Sequence, residues 1–357
     1  MTSRRVLPLD ETLTHQQVAC ARAGSQVYAD VLGGVISDVA AGGPCAAVLG
    51  PHRDDDFATA LPLRFLGALH RLVLEGRAPS LAAHYPSAGG SPGPTLVADA
   101  LAAVAEHRSE IEARIGDGVQ TNEVGRSAAL APGYATVARR SGLPLRVLEV
   151  GTSGGLNLRW DRYWYDTGET TLGDPASPVR FVGAWEPTGG ALPELGAVDV
   201  VERAGCDRNP IDVTTEDGRL ALRSYLWPDQ VERRARLEAA FAVAPTVPAT
   251  VERADVGDWL AGRLAEPVAG VATVVAHSIV WQYVPQPSRD LLRAALRRAG
   301  DAATPEAPVA WLRMEPAGQV ADLRLTSWPG GDEVVLGTAD YHGVPVHWGA
   351  PSPRDEG

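Results

Sequence analysis

Three carboxylates and one histidine occupy the same kind of position in this chain, the end of a short apolar run. Glu149 closes Leu145-Arg-Val-Leu and leads through Val150 into Gly151-Thr-Ser-Gly-Gly155-Leu-Asn157. Asp207 ends Ala197-Val-Asp-Val-Val-Glu-Arg-Ala-Gly-Cys, and Asp255 follows Thr250 to Ala254. His277 lies late in Val271-Ala-Thr-Val-Val-Ala-His-Ser-Ile-Val-Trp-Gln-Tyr283. A carboxylate can accept two ribose hydroxyl protons or an adenine amino proton. A histidine can orient or deprotonate an acceptor. Glycines let the backbone turn sharply and approach a ligand. Each candidate also has an ordinary role: Asp207 and Asp255 can cap a turn or helix, and a lone strand-end histidine is often structural.

The run Leu145 to Val150, punctuated by Gly142 and Pro144, suits a strand buried on both faces of a parallel sheet. A helix expected just after the loop would aim its N-terminal N–H groups at a ligand. The dinucleotide fingerprint G-x-G-x-x-G fails, because Ser153 and Leu156 stand at its second and third glycine positions. The pattern apolar strand–Glu–x–Gly–x–Ser–x–Gly resembles instead the first motif of class I S-adenosylmethionine (SAM)-dependent methyltransferases. In that family the acidic residue at the strand end lies near the cofactor's methionine amino group. The resemblance implies SAM as cofactor, held by Glu149, Gly151, Thr152, Ser153, Gly155 and Asn157, with Asp207 on the ribose and Asp255 on the adenine amino group. The ribose acid normally follows the loop by about 20 residues. Asp207 comes much later, across an aromatic insertion at about 160–196. Glu186 is therefore the alternative ribose ligand.

The elements that must position these residues alternate from 145 onward. Strands and helices follow one another, and the C-terminal stretches Val320 to Leu325 and Glu333 to Trp348 read as antiparallel strands. That order implies an α/β, Rossmann-like, three-layer sheet of the class I methyltransferase type, mostly parallel with an antiparallel C-terminal edge. Residues 1–140 lack strand signals and read as a helical N-terminal cap, with 141–357 as the SAM-binding domain. Val119-Gln-Thr-Asn-Glu-Val-Gly-Arg126 opens the helix before the central strand. Its polar residues are either a cap with a solvated face or, for Asn122, Glu123 and Arg126, the rim of the cofactor pocket. Trp160-Asp-Arg-Tyr-Trp-Tyr-Asp166 either walls a substrate pocket or covers one end of the sheet.

Composition narrows the chemistry. All 32 basic residues are Arg, so neither a Schiff-base lysine nor a Walker lysine is available. The net charge of -12 opposes nucleic acid and acidic membrane surfaces as partners, leaving a small-molecule substrate. Cys20, Cys45 and Cys206 have no C-x-x-C spacing, which suits a reducing cytoplasm, and Met1-Thr-Ser-Arg-Arg-Val lacks an apolar signal core. No metal is called for.

The chain also resembles the bacterial family called domain of unknown function 2332 (DUF2332). The likeness rests on Gln120-Thr-Asn-Glu-Val-Gly-Arg126, Leu148-Glu-Val-Gly-Thr-Ser-Gly-Gly-Leu-Asn157, Asp161-Arg-Tyr-Trp-Tyr165, Arg203-Ala-Gly-Cys-Asp-Arg-Asn-Pro-Ile-Asp212, Leu226-Trp-Pro-Asp-Gln230, His342-Gly and Trp348. It carries no settled activity with it. Three functions are weighed: a SAM-dependent methyltransferase of small molecules, with His277, Tyr283 or Glu123 handling the acceptor; a non-catalytic SAM or adenosine-ligand-binding protein; and a nicotinamide-dependent oxidoreductase.

Overall fold

The structure, a computed structural model, describes residues 5–116, 118–188 and 192–349. Met1–Arg4, on which part of the leader reading rests, and 189–191 of the insertion lie outside them. Two compact units are present, 1–121 with 215–235, and 122–214 with 236–357.

The first unit is helical: α1 (Leu9–Arg22), α2 (Gln26–Ala40), α3 (Pro44–Leu49), α4 (Leu61–Leu74), α5 (Pro79–Ala82), α6 (Leu96–Glu106) and α7 (Arg108–Ile115). Its core gathers Leu13, Val31, Leu32, Phe65, Leu69 and Ile111. Gly24 takes a left-handed conformation and the Ser25 hydroxyl caps α2, so α1 and α2 are separate helices. Phe57–Leu74 has the hydropathy of a membrane span, but 61% of it is buried and Ala60 breaks it, which is the pattern of a core helix.

The sheet unit begins with α8 (Arg126–Ser141), so the boundary precedes this helix and does not follow it at 140. The reason is packing: Gly133 of α8 sits against Leu312 in the sheet. The chain then runs through β1 (Leu145–Val150), β2 (Trp164–Asp166), β3 (Thr171–Leu172), β4 (Arg180–Val182), β5 (Trp185–Pro187) and β6 (Val200–Asp207). The segment 215–235 returns to the first unit with α9 (Glu216–Ser224), and α10 (Val231–Val243) leads back. Next come β7 (Thr250–Arg253), α11 (Val256–Arg263), β8 (Ala272–Ser278), α12 (Gln286–Asp301) and the strands β9 (Val309–Ala317), β10 (Val320–Trp328), β11 (Asp332–Ala339) and β12 (Val346–Trp348).

Among the described residues, nine strands form one sheet in the order β5-β12-β11-β10-β9-β8-β1-β6-β7. From β7 to β9 all pairings are parallel; β10, β11 and β12 add antiparallel neighbours. One face, through Leu148, Val275 and Val309, packs on α11 and α12 by way of Leu260, Leu292 and Leu296. Leu312 faces the opposite side toward α8, because adjacent strand residues alternate faces. The sheet is thus a mostly parallel α/β layer, and its strand order reverses between β1 and β8, the point where open sheets leave a crevice.

The link from β1 to β6 is an excursion. It passes through a small sheet (β3-β2-β4) and through β5, which pairs with β12 at the far edge, before returning beside β1. Its aromatics are core. Trp160, Tyr163 and Tyr165 are fully buried, and Trp160 stacks on Tyr134 of α8 at 4.3 Å. They pack on α8 and on one another, Tyr165 stacking on Phe181 of β4 at 5.2 Å. Arg203 of β6 pairs with Asp161 at 2.5 Å and ties the excursion to the sheet.

Candidate functional site: the carboxyl ends of β1, β6 and β8

Gly151 adopts φ +71° at the end of β1, and both its N–H and that of Thr152 donate to the Cys206 carbonyl of β6. The loop therefore folds back over β6. Gly205 makes this possible, since a Cβ there would lie 2.7 Å from the Thr152 side chain. Thr152, seated in that space, donates its hydroxyl to Glu149. Ser153 is held in the left-handed region, φ +52°, a conformation unusual for a side-chain-bearing residue. Its N–H donates to Asp207 at 3.0 Å, and the Asn209 N–H donates to the other Asp207 oxygen at 2.8 Å. Asp207 thus braces the glycine loop, and among the described residues each of its oxygens accepts one hydrogen bond, leaving a second lone pair on each.

Glu149 is 5% exposed. Among the described residues it accepts a hydrogen bond from Thr152 alone, and no arginine stands within ion-pair distance of it. Burial pushes its carboxyl up to about 7, Asp207 adds to the rise, and Thr152, Arg126 and Arg159 pull against it.

The segment Asn122 to Ser127 is laced to the same loop. The Asn122 side-chain oxygen accepts from the Leu156 N–H at 2.9 Å, Asn157 donates to the Glu123 carbonyl at 3.1 Å, and Ser127 donates to Asn157 at 2.9 Å. The Glu123 carboxylate accepts from the Gly125 N–H, and Arg126 donates to the Ser278 and Tyr341 carbonyls. Asn122, Glu123, Asn157 and Arg126 therefore position the loop and the end of β8. The expected α-helix after the loop is a 3-10 helix, Leu156–Arg162, kinked at Arg159. Its first N–H is already taken by Asn122. Gly155, at φ +69°, packs against Val251, and its carbonyl accepts from Arg159 at 2.6 Å.

Glu149, Thr152, Ser153, Asn157, Asp207, Asn122, Glu123 and Arg126 therefore converge. Asp255 does not: it caps α11 through the Gly257 N–H and accepts from Ser288 of α12 at 2.7 Å, as a helix cap would. Glu186 lies on β5 at the far edge of the sheet, paired with His347 at 3.2 Å. Tyr283 stands 50% exposed beyond β8, close enough to Arg126 and Glu315 to feel both charges. The space over Gly151 is filled by the Val280 side chain, which a Cβ on Gly151 would meet at 2.4 Å.

His277, next to last in β8, is 1% exposed. Its Nδ1 lies 2.6 Å from Glu315 Oε1, at the end of β9, and Glu315 also accepts from the Val280 and Trp281 N–H groups. His277 Nε2 has no hydrogen-bond partner among the described residues. The ring stacks on Trp281 at 5.4 Å and meets Trp311 at 5.8 Å. Glu315 is the residue the sequence reasoning passed over, although it closes an apolar strand just as Glu149 does.

Gly151-Thr-Ser-Gly-Gly155 also spells the G-x-S-x-G of a serine elbow. Ser153 Oγ is buried, and among the described residues no base stands within hydrogen-bond distance of it. Two cavities, of about 370 and 500 Å³, open at the opposite, amino ends of the strands, beside Arg146 and Thr273 and beside Leu143 and Asp199. They hold none of the candidate residues.

A search of curated proteins and a search of solved structures each returned no match. Residues 10–348 match the model of a family described as an uncharacterized protein conserved in bacteria (DUF2332), and the chain belongs to that family.

Proposed function

We propose that this protein binds SAM at the carboxyl ends of β1 and β6 and transfers its methyl group to a small molecule. The observation that carries the reading is Glu149, a buried carboxylate without a cationic partner. Such a group is costly unless a positive charge meets it. The methionine ammonium of SAM would supply that charge, and Ser153 Oγ and the free lone pairs of Asp207 remain available for ligand hydroxyls. A nicotinamide dinucleotide fits less well, because its pyrophosphate would meet two carboxylates. When bound, SAM supplies an activated methyl group on a sulfonium; the chain's part is to orient it and exclude water. Val280 must leave its seat on Gly151 for the ligand to enter.

The test is a thermal-shift and calorimetric screen of the full chain with SAM, S-adenosylhomocysteine, NAD and NADP. A ligand at 100 times its Kd stabilises by about 2.7 kcal/mol. SAM and S-adenosylhomocysteine are expected to stabilise, and Glu149→Gln to weaken both by at least about tenfold, roughly 1.4 kcal/mol. Asp207→Ala should weaken them similarly. Melting unmoved by either adenosyl ligand, or affinity untouched by Glu149→Gln, sinks the proposal.

A further inference from the structure

We infer that His277, held by Glu315, is the base that takes a proton from the methyl acceptor, whose attacking atom is therefore a hydroxyl oxygen or an amine nitrogen. This rests on the SAM reading above. β8 is the parallel neighbour of β1 where the strand order reverses; Ala276 shares the face of Glu149, and His277, one residue on, lies at the strand end on the α12 face, under the same turn that covers Gly151, with Val280 on Gly151 and Trp281 on the imidazole. Glu315 Oε1 accepts from His277 Nδ1 and from two backbone N–H groups, the behaviour of an ionised carboxylate. Nδ1 thus carries a proton. Nε2 is buried with no partner among the described residues, and orphaned buried N–H groups are rarer than under-satisfied acceptors. With that proton on Nδ1, Nε2 keeps the lone pair a general base needs.

The chain just beyond supports a working role. Ile279 adopts φ +49°, a left-handed conformation that a β-branched residue very rarely holds. Such strain persists where surrounding structure enforces it, characteristically at ligand clamps. Here the enforcement is visible: the Ile279 N–H donates to the Met314 carbonyl, and the next two N–H groups donate to Glu315. Trp281 and Trp311 wall the imidazole from water.

A thiolate or carboxylate acceptor would need no base, whereas a hydroxyl or amine does. In the transfer the acceptor's O–H or N–H bond breaks, its proton goes to Nε2, its electron pair bonds the methyl carbon, and the old carbon–sulfur pair stays on sulfur. Glu315 offsets the imidazolium that results, as a positioning residue.

The experiment is NMR of the full chain carrying ¹⁵N in its eight histidines, with His277 assigned by His277→Asn, which keeps a donor toward Glu315. A protonated Nδ1 and bare Nε2 are expected at neutral pH, and a mixed or reversed tautomer in Glu315→Gln. A proton on Nε2 in the wild type, or a tautomer indifferent to Glu315→Gln, overturns the inference. Calorimetry separates it from the cofactor reading. His277→Asn should bind SAM within about threefold of wild type and lose at least about 100-fold in kcat, with KM held, on a hydroxyl or amine acceptor. Loss of SAM affinity in His277→Asn overturns the base role. Failure of the wild type to bind SAM sinks the cofactor reading and the acceptor with it, while the NMR result still decides the dyad.

Discussion

Among the described residues two histidines are only 1% exposed, His70 in the helical unit and His277 in the sheet unit, and the two are treated differently. His70 on α4 has a partner for both ring nitrogens: Nε2 lies 2.7 Å from the Ser87 hydroxyl, and Nδ1 lies 3.2 Å from the Ser224 carbonyl. His277 has one partner and a bare second nitrogen. The same contrast runs through the neighbours. Asp229 in the helical unit accepts from the Ser25 hydroxyl and the Val27 N–H, whereas Glu149 in the sheet unit is buried with one hydroxyl and no cation. The contrast is not absolute, since the Tyr85 hydroxyl in the helical unit also has no partner among the described residues. Folds satisfy their own buried polar groups. Groups left open where a sheet's strand order reverses are the ones a ligand would complete.

Removing each histidine gives the largest effect. His70→Ala leaves a cavity and strands the Ser87 hydroxyl and Ser224 carbonyl, and should cost about 3 kcal/mol of stability. His277→Asn keeps the Glu315 contact and should cost under about 1.5 kcal/mol. Urea unfolding at neutral pH measures both. Equal losses would erase the distinction between a structural and a working histidine.

A second test uses opposite pH slopes. Burial raises the Glu149 pKa from 4.5 to about 7, so the native state holds that proton more tightly than the unfolded chain. Its contribution is full in acid below about pH 4.5 and is lost as pH rises through about 7. Burial lowers the His70 pKa from 6.5 to about 4, so the native state resists that proton. Its contribution is full above about pH 6.5 and is lost as pH falls through about 4. Each amounts to on the order of 3 kcal/mol at about 1.36 kcal/mol per pH unit. They oppose one another between about pH 4.5 and 6.5. Glu149→Gln should therefore expose a steeper acid loss, and urea midpoints across pH read it. A profile unchanged by Glu149→Gln would mean that Glu149 is not desolvated. SAM affinity should also fall below about pH 7, as protonation of Glu149 removes the partner for the ammonium.

How much of this was legible beforehand follows from what spacing can encode. β1, β8 and the loop between Val150 and Asn157 are plain in the sequence because apolar runs bounded by glycine and proline have few other uses. Asp207 falls at a strand end for the same reason. Whether two strand ends present their carboxylates to one crevice depends on register and on which way each chain turns, and spacing does not carry that. Asp207 turns toward Ser153 while Asp255 turns into α11 and Ser288. Glu315 gains its meaning only from the β8–β9 register, which sets His277 opposite Arg313, two residues before it. The excursion hid as well, because β5 pairs with a strand that comes about 160 residues later.

The smallest effect is the most discriminating. Ala60 in the helical unit and Ile279 in the sheet unit both hold positive φ, +51° and +49°. Glycine takes that conformation without the Cβ clash, and relief of about 1–2 kcal/mol is partly offset by the 0.5–1 kcal/mol that glycine loses in chain entropy. Ala60→Gly should gain under about 1 kcal/mol and leave SAM affinity alone. Ile279→Gly should gain a similar amount, and the gain would belong to the form in which Val280 sits on Gly151. A ligand that must displace Val280 works against whatever stabilises that form, by the same free energy. SAM should then bind Ile279→Gly up to about fivefold more weakly, the equivalent of about 1 kcal/mol. Val280→Ala should bind it more tightly. If Ile279→Gly and Ala60→Gly stabilise alike and neither changes the affinity, the turn after β8 is strained for reasons unconnected with a ligand, and the two units differ less than their histidines suggest.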